Sequence, residues 1–395
     1  MRVLISGAGI AGPTLAYWLN HYGIETTIVE LAAKLRTGGY IVDFWGLGFE
    51  VADRMGLMPE LKHEAYRARE VRAVDRSGRK VTGFPVEALS RATGGGYISL
   101  PRGDLAAAIY KTIERDVEVI FGDSIAKIEQ TTTTVRVSFE HGSERTFDLV
   151  IGADGLHSRT RQLAFGSDEQ FEAYLGYKVA AFEAQGYRPR DELVYVMYTE
   201  VGQQVSRFAM RDDRTMFLFT FADQHLDREE NDEQSQKALL RERFGSSGWE
   251  CPHILDALDD THDLYFDRVS QIRMDSTDGL WARGRIILLG DAAFCVSLLG
   301  GEGSALAMAA AYILAGELHK AGGDHVTAFR RYQEMFAGFV AAKQTAALRF
   351  GNTFAPKSKF SMFVRNQVMK ALRVPWVADM VFGRTLKDNL SLPRY

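Results

Sequence analysis

The chain has 395 residues, a formal net charge of −4, 46% hydrophobic residues and 25% charged residues, the balance of an ordinary globular protein with room for one large or two ordinary domains. That charge leaves no basic footprint for nucleic acid. Two cysteines, Cys251 and Cys295, are too few for a disulfide framework and match no zinc spacing, so no metal site is expected and a reducing, cytoplasmic setting is the default expectation.

The first thirty residues carry the densest signal. Val3-Leu4-Ile5 is a short uncharged run bounded by glycine, the pattern of a strand buried on both faces. Gly7-Ala8-Gly9-Ile10-Ala11-Gly12 follows as a G-x-G-x-x-G. A helix is expected from Pro13 to His21, and Glu25 to Val29 reads as a second strand closed by Glu30. Gly7 permits the tight turn, Gly9 leaves the backbone open to a pyrophosphate, and Gly12 allows close helix–strand packing. The helix N-terminus favours phosphate, and an acid about twenty residues on accepts hydrogen bonds from ribose hydroxyls. The unit points to an ADP-containing dinucleotide without choosing between FAD and NAD.

Farther along, residues 69–84 alternate as a hairpin about Ser77-Gly78. Arg102 stands just before a helix running to Ile113, with Asp104 suited to its first turn. Strands are expected over 117–120, 133–139 and 147–151, the last running into Gly152-Ala153-Asp154-Gly155. Ser158 then caps a helix carrying Arg159 and Arg161. From about 174 to 270, aromatic and β-branched residues recur at strand spacing, the pattern of an antiparallel sheet and not of βαβ units. Its candidates for facing a ligand are Tyr177, Tyr198, Arg207, Met210 and Phe219. Residues 223–236 read as loop and helix start. A buried strand, Arg285 to Leu289, ends in Gly290-Asp291-Ala292-Ala293. Gly300, Gly301 and Gly303 then precede an Ala-rich helix to about Lys320. That arrangement aims backbone N–H groups at a ligand. The tail from 327 to 395 reads as helical. Its stretch around Phe360 to Arg373 is amphipathic and basic, a pattern that lies on membranes in some proteins and packs on its own protein in more. No uncharged apolar run reaches about 18 residues, so no transmembrane segment is expected. No basic, apolar leader precedes the first strand, so no export signal is expected.

These three motifs in this order resemble the class A flavoprotein monooxygenases, the para-hydroxybenzoate hydroxylase-like family that includes tetracycline-inactivating and polyketide-tailoring enzymes. The resemblance covers most of the chain, with no matched motif between about 170 and 270. It implies an α/β fold: a Rossmann-like, GR2-type FAD-binding domain on a parallel sheet, an inserted antiparallel substrate sheet and C-terminal helices. The implied boundaries are 1–70, 98–168 and 272–345 for the FAD-binding domain, 71–97 and 169–271 for the substrate sheet, and 346–395 for the helices. FAD is the implied cofactor and NAD(P)H the co-substrate. Gly7, Gly9, Ala11, Gly12 and Glu30 would hold the ADP half, and Arg102 would sit beside the flavin. Asp154 would serve both FAD and NAD(P)H, and Asp291 the ribityl or pyrophosphate region. Gly301, Gly303 and Ser304 would offer N–H groups to the pyrimidine edge.

The reaction implied is insertion of one oxygen atom from O2, through a flavin C4a-hydroperoxide, into an aromatic or polyketide-like small molecule of secondary metabolism. No catalytic side chain is assigned, because the chemistry is the flavin's. The partners implied are a small-molecule substrate and O2, and the chain would be a monomer or homodimer. Where relatives continue with histidine and two prolines, this chain has Phe294 to Leu299, an apolar segment expected to be more flexible. That departure keeps open an oxidase, reductase or non-redox cyclase of the same fold, and an inactive flavin-binding module. Glu302 stands where glutamine is common, as a titrating group near the flavin or, more ordinarily, a solvated loop charge.

Overall fold

Val3, Leu4 and Ile5 are fully buried in the strand Arg2–Ser6, which lies inside a parallel sheet and so has no wet face. The computed structural model describes residues 1–36, 38, 40–224, 232–261, 263–274, 280–385 and 388–395. Among these, the strand order of the first sheet is Ala282–Arg283, Ile286–Leu288, Leu149–Gly152, Arg2–Ser6, Glu25–Glu30, Glu118–Phe121. Its neighbours run parallel except for the antiparallel edge strand Ala282–Arg283. The helices Ala11–His21 and Gly303–Lys320 cover one face, with Leu15, Leu19, Met308 and Ile313 in one core with Ile5 and Ile287. A small antiparallel sheet of Ile125–Gln130, Val135–Phe139 and Arg145–Phe147 covers the other through Val135, Val137 and Phe147. Sequence reading misses Ile125–Gln130 and Arg145–Phe147 as separate strands; the first exposes Lys127, Glu129 and Gln130 and so lacks a run of apolar residues.

A seven-stranded sheet is built separately, in the order Tyr265–Ile272, Glu172–Gln185, Arg214–Ala222, Gln203–Ala209, Val194–Glu200, Glu70–Val74, Lys80–Pro85. Only the pair Val194–Glu200 and Glu70–Val74 is parallel. The hairpin expected over 69–84 thus extends the sheet expected over 174–270. Phe182, Phe217, Phe219 and Phe221 on its back face pack against Leu240 and Phe244 of the helix Glu233–Phe244 and against Ile254 and Leu258 of Cys251–Asp259. The helix start expected near Gln236 is at Glu233, capped by Asp232; the segment 225–231 before it lies outside the described residues.

Three C-terminal helices follow: His325–Phe354, Lys359–Ala371 and Pro375–Thr385. The last eight residues are not helical, contrary to the expectation of a helical tail. Pro393 disfavours helix in the residue before it, and the segment runs back over the first core. Arg54 and the Tyr312 hydroxyl donate to the Pro393 carbonyl at 2.7 and 2.8 Å, and the Tyr395 hydroxyl donates to Glu317 at 2.9 Å. Gly316 is required there, since a Cβ would come within 2.1 Å of the Tyr395 ring.

Candidate active site

A cavity of about 1310 Å³ runs from the glycine turn after the first strand to the front face of the seven-stranded sheet and under the helix Lys359–Ala371. It exceeds the range of about 300–1,000 Å³ usual for one drug-sized ligand, so it has room for a dinucleotide and a second molecule.

The three glycines of the first motif do different things. Gly7 has φ +104°, and a Cβ there would meet the Ala153 carbonyl at 2.5 Å. A Cβ on Gly12 would meet the Gly7 carbonyl at 2.0 Å. Both are therefore demanded by packing. A Cβ on Gly9 would meet only the Arg102 guanidinium, at 3.7 Å across the cavity. Protein packing does not explain glycine at position 9, and the bare backbone there leaves the cavity open. Ala11 opens the helix, whose N-terminus has no side-chain cap and no acid in its first turn. Its N–H groups and positive dipole end face the cavity, which suits phosphate. Glu30 is fixed at the cavity edge by accepting from the amides of Ala8 at 2.8 Å and Ala32 at 2.9 Å. Arg102 is anchored by its backbone N–H, which donates to the Tyr40 carbonyl at 3.0 Å. Its guanidinium projects into the cavity. A cation facing Gly9 in this way suits a phosphate or a flavin carbonyl.

Asp154 also lines the cavity, but its carboxylate is fully engaged by the protein. It accepts from the hydroxyls of Ser6, Ser158 and Thr160 and from the Thr160 amide at 2.9 Å. It therefore fixes the shape of the loop, with Ser158 capping the helix Arg159–Ala164 through the Arg161 amide. Arg161 is fully buried and donates to the carbonyls of Leu156 at 2.7 Å and Ala292 at 2.9 Å, tying this loop to the one that carries Asp291. Asp291 begins the helix Asp291–Phe294 and faces the cavity. Desolvation holds its carboxyl above the usual range, opposed by nearby Arg102. Gly301 takes φ +68° in the turn leading to Gly303 and Ser304, which open the helix Gly303–Lys320 toward the same space.

Two expectations about this loop change. The segment Phe294 to Leu299 is not loosely held. Gln271 donates to the Val296 carbonyl at 3.0 Å, Gln344 donates to the Cys295 carbonyl at 3.2 Å, and the Cys295 carbonyl also accepts from the Ile272 amide at 3.1 Å. Ser297, at φ +110°, is a strained residue held in place by these contacts. Nor is Glu302 a solvated charge. It lies at the cavity wall and pairs with Lys343 at 2.7 Å, which also pairs with Asp388 at 2.8 Å. All three side chains are largely buried, and desolvation raises the Glu302 carboxyl against the pull of Lys343.

The five sheet residues expected to face a ligand do not line the cavity. Tyr198 and Phe219 lie in the back-face core, and Arg207 pairs there with Glu250 at 2.8 Å and Asp191 at 2.8 Å. Met210 packs with Tyr66 and Phe208, and Tyr177 with Val179 and Leu299. For Tyr198, Arg207 and Phe219 the physical reason is the pleat, which turns them to the back; Tyr177 and Met210 have the parity of the front face but are covered by their packing neighbours. The front face instead presents Val71, Tyr195, Met197, Gln204, Ser206 and Leu218. Tyr97 joins them, donating to Asp43 at 2.7 Å, and Ser99 donates to the same carboxylate at 2.6 Å. Arg365 reaches from the overlying helix to Thr199 at 3.0 Å, and desolvation lowers its guanidinium to about 10. Another unforeseen group is His157, 3.1 Å from Asp267 at the cavity edge; that hydrogen bond raises its imidazole. Tyr40 faces Tyr265 nearby with ring centroids 5.5 Å apart, and burial pushes the Tyr40 phenol up to about 12. Among the described residues no cluster of His, Cys, Asp and Glu could hold a metal, and both cysteines are free and buried.

Known proteins share this chain's sequence pattern and fold. The profile of the FAD binding domain family matches residues 1–325. A flavin-dependent monooxygenase from an unknown prokaryotic organism is 34% identical over 395 residues, covering 100% of this chain and 99% of the relative. The crystal structure of the tetracycline destructase Tet(51) superposes with a TM-score of 0.84 at 32% identity, covering 100% of this chain and 99% of that one. Klebsiella pneumoniae HpxO, solved with FAD and uric acid, shares the fold at 22% identity with a TM-score of 0.81, covering 99% and 98%.

Proposed function

The chain belongs to the FAD binding domain family of class A flavoprotein monooxygenases and is an FAD-dependent monooxygenase, and from that premise we propose that it inserts one oxygen atom from O2 into a polycyclic aromatic or polyketide-like molecule with NAD(P)H as electron donor. The observation that carries this reading is the single continuous cavity, with a dinucleotide cradle at one end and an apolar wall with few polar handles at the other. The likeness to a tetracycline destructase supports a multi-ring, hydroxylated substrate.

In this reading the helix N-terminus at Ala11 and the bare backbone at Gly9 receive the pyrophosphate, and Glu30 accepts from a ribose. Asp291 accepts from ribityl hydroxyls. The amides of Gly301, Gly303 and Ser304 meet the pyrimidine edge, and Arg102 lies beside the ring system. Asp154 and Arg161 act by fixing two of these loops. FAD, when bound, supplies the electron transfer and oxygen activation. The chain's own work is to orient the substrate and exclude water. Met197, Leu218 and Val71 offer an apolar floor. Tyr195, Gln204 and Arg365 offer donors to substrate oxygens, while the Tyr97 hydroxyl, its proton held by Asp43, offers an acceptor, and the ring of side chains under the helix Lys359–Ala371 shields the reacting end. The separate sheets support the division into a discontinuous FAD-binding domain (1–70, 98–168, 272–345), a substrate sheet (71–97, 169–271) and C-terminal helices (346–395).

The test is turnover of the yellow holoenzyme under 18O2 with NADH or NADPH and a panel of polyketide phenols, read by mass spectrometry. One labelled oxygen per substrate consumed is expected. Nucleotide oxidation matched by hydrogen peroxide, with no label in any organic product across the panel, would replace this reading by an oxidase.

A further inference from the structure

The outer surface of the two helices that cover the cavity is unlike the rest of the molecule. The helix Lys359–Ala371 rests on the sheet strand Lys80–Pro85, and Met369 and Leu372 turn inward. Pro375–Thr385 rests on the helix Glu87–Ala92, with Ala378 packed against Ala88. Large apolar side chains stay exposed on these two helices: Phe360 is 75% exposed, Phe363 57% and Trp376 68%, with Val364, Val368 and Met380 also exposed. At 100° per residue, Phe363 stands outermost between Gln367 and the cations Lys359 and Lys370, while Phe360, Val364 and Val368 turn from there over the rim of the cavity that they line. Single exposed apolar residues are ordinary, but a contiguous set rimmed by polar groups marks an interaction surface.

Charge identifies the occupant. The whole chain is net negative, yet no Asp or Glu occurs from Met335 to Ala378. Lys357, Lys359, Lys370 and Arg373 are all exposed in this stretch, and among the described residues none of them makes an ion pair. The first acid beyond it, Asp379, sits 3.6 Å from Arg91, which Glu87 shares at 3.7 Å. Aromatic and aliphatic residues on one face with unpaired cations beside them match the demands of a bilayer interface with anionic headgroups. Phe360, Val364 and Val368 also line the cavity, so the exposed apolar set is continuous with the cavity wall.

We propose that the outward face of Lys359–Ala371 and Pro375–Thr385 docks on an anionic lipid surface, with the cavity rim against the bilayer. No described helix is long and apolar enough to cross a membrane, so the attachment is peripheral and reversible.

The experiment is vesicle flotation of the full-length holoenzyme. Vesicles of phosphatidylcholine mixed with phosphatidylglycerol should carry the protein upward, and vesicles of phosphatidylcholine alone should not. High salt should release it, since exposed charges are screened. The variant carrying Lys357→Glu, Lys359→Glu, Lys370→Glu and Arg373→Glu should lose at least about tenfold in the bound-to-free ratio. Phe363→Glu with Trp376→Glu should do the same while leaving the melting temperature close to wild type. The proposal is overturned if the wild type stays with the dense fraction in the anionic vesicles. It is equally overturned if the four-charge variant floats as well as the wild type. Sedimentation showing a dimer that Phe363→Glu dissolves, without flotation, would give the face to a second copy of the chain instead.

Discussion

Gly9 and Gly12 stand three residues apart in one motif and should fail in different ways. Gly12 has no room for a Cβ, because the Gly7 carbonyl would be 2.0 Å away. Gly12→Val should therefore disrupt the packing of the first helix on its strand and yield unfolded or insoluble protein. Gly9 has room, with its nearest neighbour 3.7 Å off across the cavity. Gly9→Val should fold, with a wild-type circular dichroism spectrum, and purify colourless because the new side chain fills the pyrophosphate path. A yellow Gly9→Val protein would remove the phosphate from this turn. Asp291 gives a second test with a definite sign. Its folded carboxyl is raised by desolvation, so FAD-free protein holds that proton more tightly than the unfolded chain. Stability from this group is full below the ordinary carboxylate value of about 3.9 and is lost as pH climbs through the raised folded value. FAD-free Asp291→Asn should thus melt higher than FAD-free wild type at neutral pH, and the gap should close in acid. The same substitution should weaken FAD retention by about 1–3 kcal/mol if a ribityl hydroxyl loses its charged acceptor. Fluorescence titration with FAD measures it, and an unchanged affinity would take Asp291 out of the site.

Among the elements, the seven-stranded sheet is where sequence reading met its limit. The strands were legible because aromatic and β-branched residues recur along them, and Gly7 to Glu30 was legible because a contiguous motif carries its own register. The front of the sheet was not legible. Both parities of Val194–Glu200 offer tyrosines, Tyr195 and Tyr198, and only the tertiary position of the FAD-binding sheet decides which one meets the cavity. Substitutions should separate the faces. Phe219→Ala, in the back core, should cost about 3–5 kcal/mol of stability while leaving the KM for an accepted substrate near wild type. Met197→Ala should raise KM with a small change in urea midpoint. The reverse pattern would mean that the substrate lies behind the sheet. Long-range charge is illegible for a related reason. Glu302 looked like a loop charge because its partner Lys343 is 41 residues away, and the other carboxylate, Asp388, is in the tail. Removing the shared cation by Lys343→Met leaves two largely buried carboxylates without a counter-charge. It should cost about 3–5 kcal/mol in urea unfolding. Glu302→Gln should cost less, since Lys343 keeps Asp388.

At the scale of the molecule, the C-terminal helices are held at both ends. The helix His325–Phe354 ties them to the core on one side. On the other, the tail returns through Asp388 on Lys343, the Pro393 carbonyl on Arg54 and Tyr312, and Tyr395 on Gly316 and Glu317. The cover of the cavity is therefore a closed loop of chain, and cutting its far anchor turns it into a free end with more conformations to lose on docking. Deleting residues 388–395 should lower stability by at least about 2 kcal/mol, since a buried ion pair, several hydrogen bonds and a tyrosine ring are lost together. The loss should be regional as well as global. Limited proteolysis should cut faster than in the wild type near the exposed Lys357 and Lys359, because the helices that follow them are no longer tied down at their far end. Tyr395→Ala should move both readouts in the same direction and by less, because Asp388 and Pro393 remain. FAD should stay bound in both variants, since the pyrophosphate turn, Arg102 and Asp291 do not touch the tail. If the truncated chain resisted protease as well as the wild type, the two covering helices would have to be held by their own packing on Phe84, Ala88 and the sheet, and the tail would be ornament to the cavity instead of its latch.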